Sequence, residues 1–213
     1  LRCIEEGYGI NLIPLLHFAI DVYKDDPCTC FTIDTKNGDI DTNELELNMK
    51  MHKAITIIQF KLEGQLILRR PDFKMNDRLL LDKINYENGT IEIQGKTYEL
   101  LDKNFPTIDP KDPYKLTEQE AQLMERLEYS FRNCDKLQKH IRFLLSKGGL
   151  YLTYNNNLLF HGCVPLNEDG TLREVELNGI KYSGRNLYDV LEYYARKGFY
   201  RQKEDTDYTY GRD

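Results

Sequence analysis

The chain has 213 residues, of which 40% are hydrophobic and 30% charged, with a formal net charge of −6. This length and composition predict one or two compact domains with a hydrophobic core. The acidic balance gives no electrostatic footprint for nucleic acid or for an acidic membrane surface, so we expect neither as a partner. No apolar run reaches the roughly 18 residues of a membrane span, and no charged-then-apolar leader opens the chain, so neither feature is expected.

Two helices are predicted in the first part of the chain. The first has Asn11 as its cap and Pro14 in its first turn, and it should end before Asp25-Asp26-Pro27. The second begins at Asn43, carries an apolar stripe from Leu47 past Gly64 and ends at Arg69-Arg70-Pro71. The segment between them, from Pro27 to Thr42, is polar and predicts a loop or short linker.

His17 and His52 lie on these two helices, and we interpret both as packed or surface residues rather than ligands. Arg69 and Arg70 fit the negative end of the helix dipole. Phosphate binding is the alternative for these arginines, because a guanidinium matches the geometry of phosphate oxygens.

A short helix is predicted at Asn76–Lys83, followed by a β-meander from Ile84 to Leu100 with Asn88-Gly89 as a two-residue turn. A proline-rich connector follows. Thr117 and Glu120 form a capping box, and the helix that they start is predicted to continue until Gly148-Gly149. His140, within a basic patch of this helix, is interpreted as solvated surface.

The stretch Leu150–Pro165, LYLTYNNNLLFHGCVP, predicts a hairpin of buried strands around the turn Asn155-Asn156-Asn157. A further turn at Asn178-Gly179 precedes a final helix capped by Ser183, and the tail from Arg201 is predicted to be frayed.

His161 stands where the second strand of this hairpin ends, directly before Gly162. An imidazole held at a strand end suits a metal ligand or an acid/base group, and the glycine leaves room for an ion or a phosphate beside the ring. A strand-end histidine hydrogen-bonded to a loop carbonyl is the alternative. Cys163 is the one thiol that could act as a ligand or nucleophile near such a metal.

The five cysteines form an odd set without paired spacing: Cys3, Cys28, Cys30, Cys134 and Cys163. Such a set predicts reduced thiols in a cytoplasmic protein.

Long runs of the sequence closely resemble the class III fructose-1,6-bisphosphatases of Firmicutes and other bacteria. They are YGINLIPLLHFA, MHKAITIIQFKLEGQLILRRPDF, LLSKGGLYLTYNNNLLFHGCVPLNEDGTL and KYSGRNLYDVLEYYARKGF. The resemblance covers essentially the whole chain. It implies the calcineurin-like metallophosphoesterase fold, in which the histidine of a His-Gly strand end is a ligand of a two-metal centre, so His161 becomes a predicted metal ligand.

The family resemblance also shows what this sequence lacks. The family carries its metal ligands on Asp-x-His, Gly-Asp-x-x-Asp-Arg-Gly, Gly-Asn-His, His-Gly and Gly-His-Thr motifs, and only the His-Gly pair occurs here. Gly38-Asp39 begins the second motif and does not continue it. We therefore expect a single central segment of a larger phosphatase, with no catalytic residue assigned within it and its substrate-binding residues unknown.

The expected fold is α+β: helices with an antiparallel β-meander and part of a metallophosphoesterase-type β-sandwich. Its predicted parts are a mainly helical segment, a meander with connector, a helix, sheet strands with a final helix, and a frayed tail: 1–83, 84–116, 117–149, 150–200 and 201–213. The meander is interpreted as an accessory element over the catalytic core or at a subunit contact.

The function implied by the resemblance is hydrolysis of the 1-phosphate of fructose 1,6-bisphosphate in gluconeogenesis by a full-length, cytoplasmic enzyme. Manganese would acidify the attacking water there. The segment alone is expected to be inactive and to bind no metal tightly, and a homo-oligomer stays open. The alternatives are a phosphoprotein or nucleotide phosphatase on the same fold, or a non-catalytic interaction or regulatory module.

Overall fold

The computed structural model describes residues 2–32, 42–160, 162–200 and 206–213. Within these ranges the chain forms seven α-helices and three small antiparallel sheets, which confirms the α+β class. It divides into two compact units, Leu1–Asp135 (unit 1) and Lys136–Asp213 (unit 2). No helix in the described ranges is both long enough and apolar enough to cross a membrane. Most of the predicted linker before Thr42, including Gly38-Asp39, lies outside the described residues.

Unit 1 holds four helices and one three-stranded sheet. The helices are α1 (Arg2–Tyr8), α2 (Ile13–Val22), α3 (Thr42–Arg69) and α4 (Glu118–Arg132). The strands are β1 (Ile84–Asn85), β2 (Thr90–Ile93) and β3 (Lys96–Glu99). Short 3₁₀ turns connect them at Thr29–Phe31, Pro71–Phe73, Asn76–Arg78 and Leu81–Lys83.

The first two predicted helices are confirmed, although the N-cap of α2 is Leu12 rather than Asn11. Asn11 Oδ1 accepts a hydrogen bond from the Ile13 backbone N–H at 2.9 Å, and Pro14 occupies the first turn of α2. Helix α3 runs for 28 residues and ends at Arg69, since Pro71 has no N–H to continue the ladder. The short helix predicted at Asn76–Lys83 is wrong: Leu79 is extended, with φ −69° and ψ 115°, and separates two 3₁₀ turns.

The core of unit 1 consists of two clusters that share α3. The first packs α2, α3 and α4 around Leu15, Ala19, Ile58 and Leu123. The second packs the C-terminal half of α3 against the meander and connector, around Ile67, Leu81 and Tyr114. The ring of Tyr114 lies so close to Gly64 that a Cβ added there would be 2.0 Å from Tyr114 Cδ1. A mid-helix glycine, otherwise destabilising, is what allows this contact.

The predicted meander is confirmed in the strand order β1-β2-β3. Its second turn, Gln94-Gly95, has positive φ at both residues (50° and 74°), as a two-residue hairpin turn requires. The first turn differs from the prediction. It spans the four residues between Asn85 and Thr90, and Asn85 Oδ1 accepts a hydrogen bond from the Asn88 N–H at 3.0 Å.

The capping box of α4 is present: the Glu120 N–H donates to Thr117 Oγ1 at 3.2 Å, and the Thr117 N–H donates to Glu120 Oε2 at 2.7 Å. The prediction that this helix continues without a break to Gly148-Gly149 is wrong. Helix α4 ends at Asn133, whose side-chain amide donates to Tyr129 O at 2.7 Å in addition to the backbone N–H at 3.0 Å, a local bond of the kind that competes with helix continuation. A separate helix, α5 (Asp135–Lys147), begins two residues later.

Unit 2 contains most of α5, two hairpins and two further helices. The hairpins are β4 (Tyr151–Tyr154) with β5 (Asn157–Phe160), and β6 (Val175–Leu177) with β7 (Ile180–Tyr182); the helices are α6 (Gly184–Phe199) and α7 (Thr206–Arg212). The hairpin turns were located correctly. Asn155 and Asn156 have φ of 48° and 61°, and Asn178 and Gly179 have φ of 50° and 77°.

The expectation that the strands β4 and β5 are buried is wrong. Leu152, Leu158 and Leu159 are 57, 55 and 54% exposed. The physical reason is that a two-stranded sheet offers little surface to bury against, and in the described part of unit 2 only Leu187 is fully buried.

The prediction that the tail from Arg201 is frayed is also wrong for the part of the tail that the structure describes. Residues 206–212 form α7, which packs on α6 with the rings of Tyr194 and Tyr210 4.5 Å apart. The Tyr193 hydroxyl donates to Asp207 Oδ2 at 2.6 Å. The tyrosines thus supply both an apolar surface and hydrogen bonds for docking this last helix. Residues 201–205 lie outside the described ranges.

Candidate functional site

His161, the one predicted metal ligand, lies outside the described residues, but both of its neighbours are described. Phe160 ends β5, and Gly162 has a φ of 85°, which favours glycine. The chain therefore leaves the hairpin at the position where the sequence predicted a strand end.

The hairpin is fixed to the polar face of α6 through Tyr151, which is the cross-strand partner of Phe160. The Tyr151 hydroxyl donates to Asp189 Oδ1 at 2.9 Å and accepts from Arg185 Nε at 2.8 Å. The rings of Tyr151 and Tyr188 lie 5.9 Å apart. The strand that pairs with the end of β5 is thus held by three residues of one helix.

A second set of bonds holds the start of β4. The Leu150 N–H donates to Glu192 Oε2 at 3.1 Å, while Arg196 donates to Glu192 Oε1 at 2.5 Å and to Gly148 O at 3.0 Å. The hydrogen bond from Arg196 holds the pKa of Glu192 below its ordinary value. Glu192 is therefore ionised at neutral pH, and its charge is matched by Arg196.

The loop that follows His161 is tied to the same helix, since the Tyr188 hydroxyl donates to the Cys163 carbonyl at 3.1 Å. The Cys163 side chain is exposed. Nowhere in the described ranges do three or more His, Cys, Asp or Glu side chains converge so that they could hold a metal. The described residues therefore do not form a metal centre by themselves.

An open groove of about 1090 Å³ runs between Gly148–Thr153 and α6. Its lining includes three basic side chains, Lys147, Arg185 and Arg196, and two acidic ones, Asp189 and Glu192. Sequence reasoning missed this polar face of α6. The signal was present, because residues 185, 189, 192 and 196 recur at helical spacing and carry charges of both signs, with an arginine at each end and two acidic residues between.

The other histidines agree with their interpretation as packed or surface residues: His17 and His140 are exposed and His52 is half-buried. Arg70 donates to Asp72 Oδ2 at 2.7 Å, and this hydrogen bond outweighs the opposing effect of burial and holds the pKa of Asp72 below its ordinary value. The guanidinium of Arg70 thus has a carboxylate partner in its own turn.

Unit 1 contains two buried lysines that the sequence did not predict. Lys53 is fully buried, and its Nζ lies 2.5 Å from Asp26 Oδ2 and 2.7 Å from both carboxylate oxygens of Asp102. Lys61 Nζ lies 2.7 Å from Glu120 Oε2 and 2.6 Å from the Thr107 carbonyl oxygen. Each lysine therefore ties α3 to the connector between β3 and α4.

Comparison with known proteins assigns the chain to a family. The family model described as Firmicute fructose-1,6-bisphosphatase matches residues 1–212. The chain belongs to this family. This agrees with the resemblance seen in the sequence.

The relatives of the Firmicute fructose-1,6-bisphosphatase family are much longer than this chain. The class 3 fructose-1,6-bisphosphatase of Clostridium novyi is 60% identical over 200 residues, which cover 94% of this chain and 30% of that protein. Those of Alkaliphilus metalliredigens and Clostridium tetani are 55 and 53% identical, over 100% of this chain and 32% of each protein. The chain thus spans about a third of these relatives. No solved structure matches it.

Proposed function

We propose that the full-length protein containing these residues hydrolyses the 1-phosphate of fructose 1,6-bisphosphate, and that this chain is its central segment. The observation that carries the proposal is the family match over residues 1–212, with relatives named fructose-1,6-bisphosphatase class 3 at up to 60% identity. His161-Gly162, directly after β5, supports it, because a histidine at a strand end suits metal binding.

We propose manganese as the cofactor and His161 as one of its ligands. The described residues do not supply a metal site by themselves. The remaining ligands are proposed to come from parts of the full-length protein outside this chain, because the other metal-binding motifs of the family do not occur in this sequence. The 213-residue chain alone is accordingly proposed to be inactive on the bisphosphate.

The cellular setting follows from the same proposal. We place the enzyme in gluconeogenesis and in the cytoplasm, with neither nucleic acid nor membrane as a partner. The odd number of cysteines and the net charge of −6 support this setting. A homo-oligomer stays a prediction from the resemblance.

The test is phosphate release by the full-length protein, with manganese, from fructose 1,6-bisphosphate, from a phosphopeptide and from a nucleoside monophosphate. We expect the sugar bisphosphate to give the highest kcat/KM. Higher activity on the phosphopeptide or on the nucleotide would replace the proposed substrate.

His161 is tested in the same protein with His161→Ala and with His140→Ala as an exposed control. Loss of a ligand should raise the manganese concentration for half-maximal activity by about tenfold or more, with partial rescue by excess metal. If His161 only makes a structural hydrogen bond, the result should differ. His161→Ala should then lower the free energy of unfolding by roughly 1–3 kcal/mol, seen as a lower melting temperature, and the manganese dependence of activity should be unchanged. The unchanged titration would remove His161 from the metal site.

A further inference from the structure

Two basic side chains of the groove between Gly148–Thr153 and α6 have nitrogen atoms that make no hydrogen bond to the described residues. The hydrogen bonds of Arg185 to described residues are made by Nε alone, with the Tyr151 hydroxyl at 2.8 Å, so its two terminal amino groups remain available. The side chain of Lys147 forms neither a hydrogen bond nor an ion pair with any described residue. By contrast, Arg196 is engaged by Glu192 and by Gly148 O.

The guanidinium of Arg185 is held in a defined orientation although its side chain is 78% exposed. Its Nε lies 3.6 Å from Asp189 Oδ2, and the group stacks 5.7 Å from the centre of the Tyr151 ring. Tyr151 is in turn fixed by its hydrogen bond to Asp189 and by its place in β4. An arginine fixed at Nε presents its other two nitrogens as a fork, which matches two oxygens of a phosphate.

The charges in the groove favour an anion. Both acidic residues are already engaged: Asp189 by Tyr151 and Arg185, and Glu192 by Arg196 and the Leu150 N–H. Lys147 is the third basic side chain and has no acidic counterpart among the lining residues. A bound dianion therefore meets surplus positive charge rather than repulsion.

The location of the groove suits the second phosphate of a bisphosphate. Tyr151, which lines the groove, is paired with Phe160, the residue before His161. Paired residues of neighbouring strands have Cα atoms about 4.5–5.5 Å apart. The two phosphates of a hexose bisphosphate are at opposite ends of the sugar, so the retained phosphate must bind beside the hydrolytic centre. At about 1090 Å³ the groove is large enough for such a sugar.

We propose that this groove binds the phosphate of fructose 1,6-bisphosphate that is not hydrolysed, with Arg185 and Lys147 as its ligands. The proposal rests on the proposed function, because it takes the hydrolysed phosphate to be the other one. It makes Arg185 and Lys147 determinants of specificity for bisphosphates over monophosphates.

The kinetic test uses the full-length protein with Arg185→Gln and, separately, Lys147→Gln. Arg132→Gln is the matched control, because Arg132 is 67% exposed and pairs with Glu128 four residues earlier on α4. We expect each groove variant to raise KM for fructose 1,6-bisphosphate roughly 10- to 100-fold, as for a lost charge-assisted hydrogen bond. Turnover of p-nitrophenyl phosphate, which has no second phosphate, should stay within about twofold of wild type. Arg185→Lys should be intermediate, since it keeps the charge and loses the fork.

A binding experiment tests the phosphate site in the groove independently of the proposed hydrolytic activity. Calorimetry measures the affinity of the same proteins for fructose 6-phosphate and for inorganic phosphate, and melting temperatures check that the variants fold. Weaker binding of fructose 6-phosphate to Arg185→Gln supports the site even if the protein does not hydrolyse the bisphosphate. Equal binding by wild type and variant overturns it. Loss of inorganic phosphate binding alone, with fructose 6-phosphate unaffected, identifies an adventitious ion only and also overturns the proposal.

Discussion

The two units of the chain bury their side chains to different extents. All the buried hydrophobic residues in the described ranges except Leu187 lie in unit 1. Unit 2 exposes leucines, a phenylalanine and a tyrosine on the β4–β5 hairpin, Ile180 on the β6–β7 hairpin, and further large hydrophobic side chains on α5 and α6. Unit 1 therefore has a buried hydrophobic core, whereas the described part of unit 2 leaves most of its large apolar side chains at the surface.

The two units also differ in how deeply their ion pairs are buried. Unit 1 buries Lys53 and Lys61 against carboxylates, while the described ion pairs of unit 2 range from exposed, as in Lys181–Glu174 at 3.2 Å, to half-buried, as in Arg196–Glu192. Buried pairs are costly to break and exposed pairs contribute little. The comparison teaches that the stability of the isolated chain resides in unit 1, and substitutions can test this.

The largest expected effect is that of Lys53→Met. The substitution leaves the carboxylates of Asp26 and Asp102 facing each other without their ammonium partner, so we expect a loss of about 3–5 kcal/mol in the free energy of unfolding. Urea-induced unfolding of the 213-residue chain measures it. Lys103→Met is the control, because its pair with Glu99 is exposed and should contribute less than about 1 kcal/mol. Equal effects of the two substitutions would contradict the distinction between buried and exposed pairs.

A smaller effect is expected from acidification. Burial alone would raise the pKa of Asp26, but hydrogen bonds from Lys53, the Cys28 N–H and Asn104 outweigh it and hold that pKa below its ordinary value. A depressed pKa in the folded state stabilises the fold above the unfolded pKa of about 3.9 and ceases to do so as the pH falls through the folded value. Stability should therefore decrease below about pH 4.

Asp26→Asn tests this assignment. The variant should be less stable than wild type at pH 7, but its stability should depend less on pH in the acidic range, as measured by urea unfolding at a series of pH values. An identical pH dependence in both proteins would show that Asp26 does not contribute to it.

The helix caps provide a comparison between the units. Thr117 accepts a hydrogen bond from the Glu120 N–H, whereas Ser183, at the same position of α6, makes no capping hydrogen bond with its side chain. Thr117→Ala should therefore lower the free energy of unfolding by roughly 0.5–2 kcal/mol. Ser183→Ala should change it by less than about 0.5 kcal/mol. A Ser183→Ala variant as destabilised as Thr117→Ala would show that unit 2 depends on its cap after all.

The smallest effect is expected at the surface of the hairpin. Leu158→Ala removes an exposed leucine and should change the stability of the 213-residue chain by no more than about 0.5 kcal/mol. Leu123→Ala is the matched substitution in unit 1, where the leucine is buried, and should cost about 2–5 kcal/mol.

The same leucine substitution can also be made in the full-length protein. If other parts of that protein cover the hairpin, Leu158→Ala should there become destabilising by about 1.5–3 kcal/mol, as for a buried side chain. Thermal unfolding of both proteins compares the two settings. A negligible effect in both would mean that the apolar surface of unit 2 stays exposed.

Local patterns predicted much of the fold. The apolar stripe of α3, the capping box at Thr117 and the turns Asn155-Asn156 and Asn178-Gly179 depend on residues close in sequence, and all occur in the structure. Two of the predictions that failed depended on contacts between distant residues. The strands β4 and β5 are exposed because they pair only with each other, and α7 forms because its tyrosines pack on α6.

The candidate site was less predictable than the fold. His161 was assigned as a ligand through the family resemblance, since its spacing alone also fitted a structural histidine. The burial of Lys53 and Lys61 could not be predicted from the sequence, because lysine side chains are usually exposed. Their partners are also distant in sequence: for Lys53 they are Asp26 and Asp102. Arg185 could be identified as a candidate only from the structure. It contacts Tyr151, and Tyr151 pairs with Phe160 at the end of β5, so these two contacts place α6 near the strand end.

The contact between Gly64 and Tyr114 restricts how these two positions can evolve. Any side chain at position 64 would overlap the Tyr114 ring, and the Tyr114 hydroxyl donates to Asp82 Oδ1 at 2.7 Å, which leaves the ring little freedom to move away. Replacing Tyr114 first would open the space but leave a cavity beside a helical glycine. Each single substitution is therefore unfavourable while a paired one need not be, so homologous sequences should vary at these two positions together.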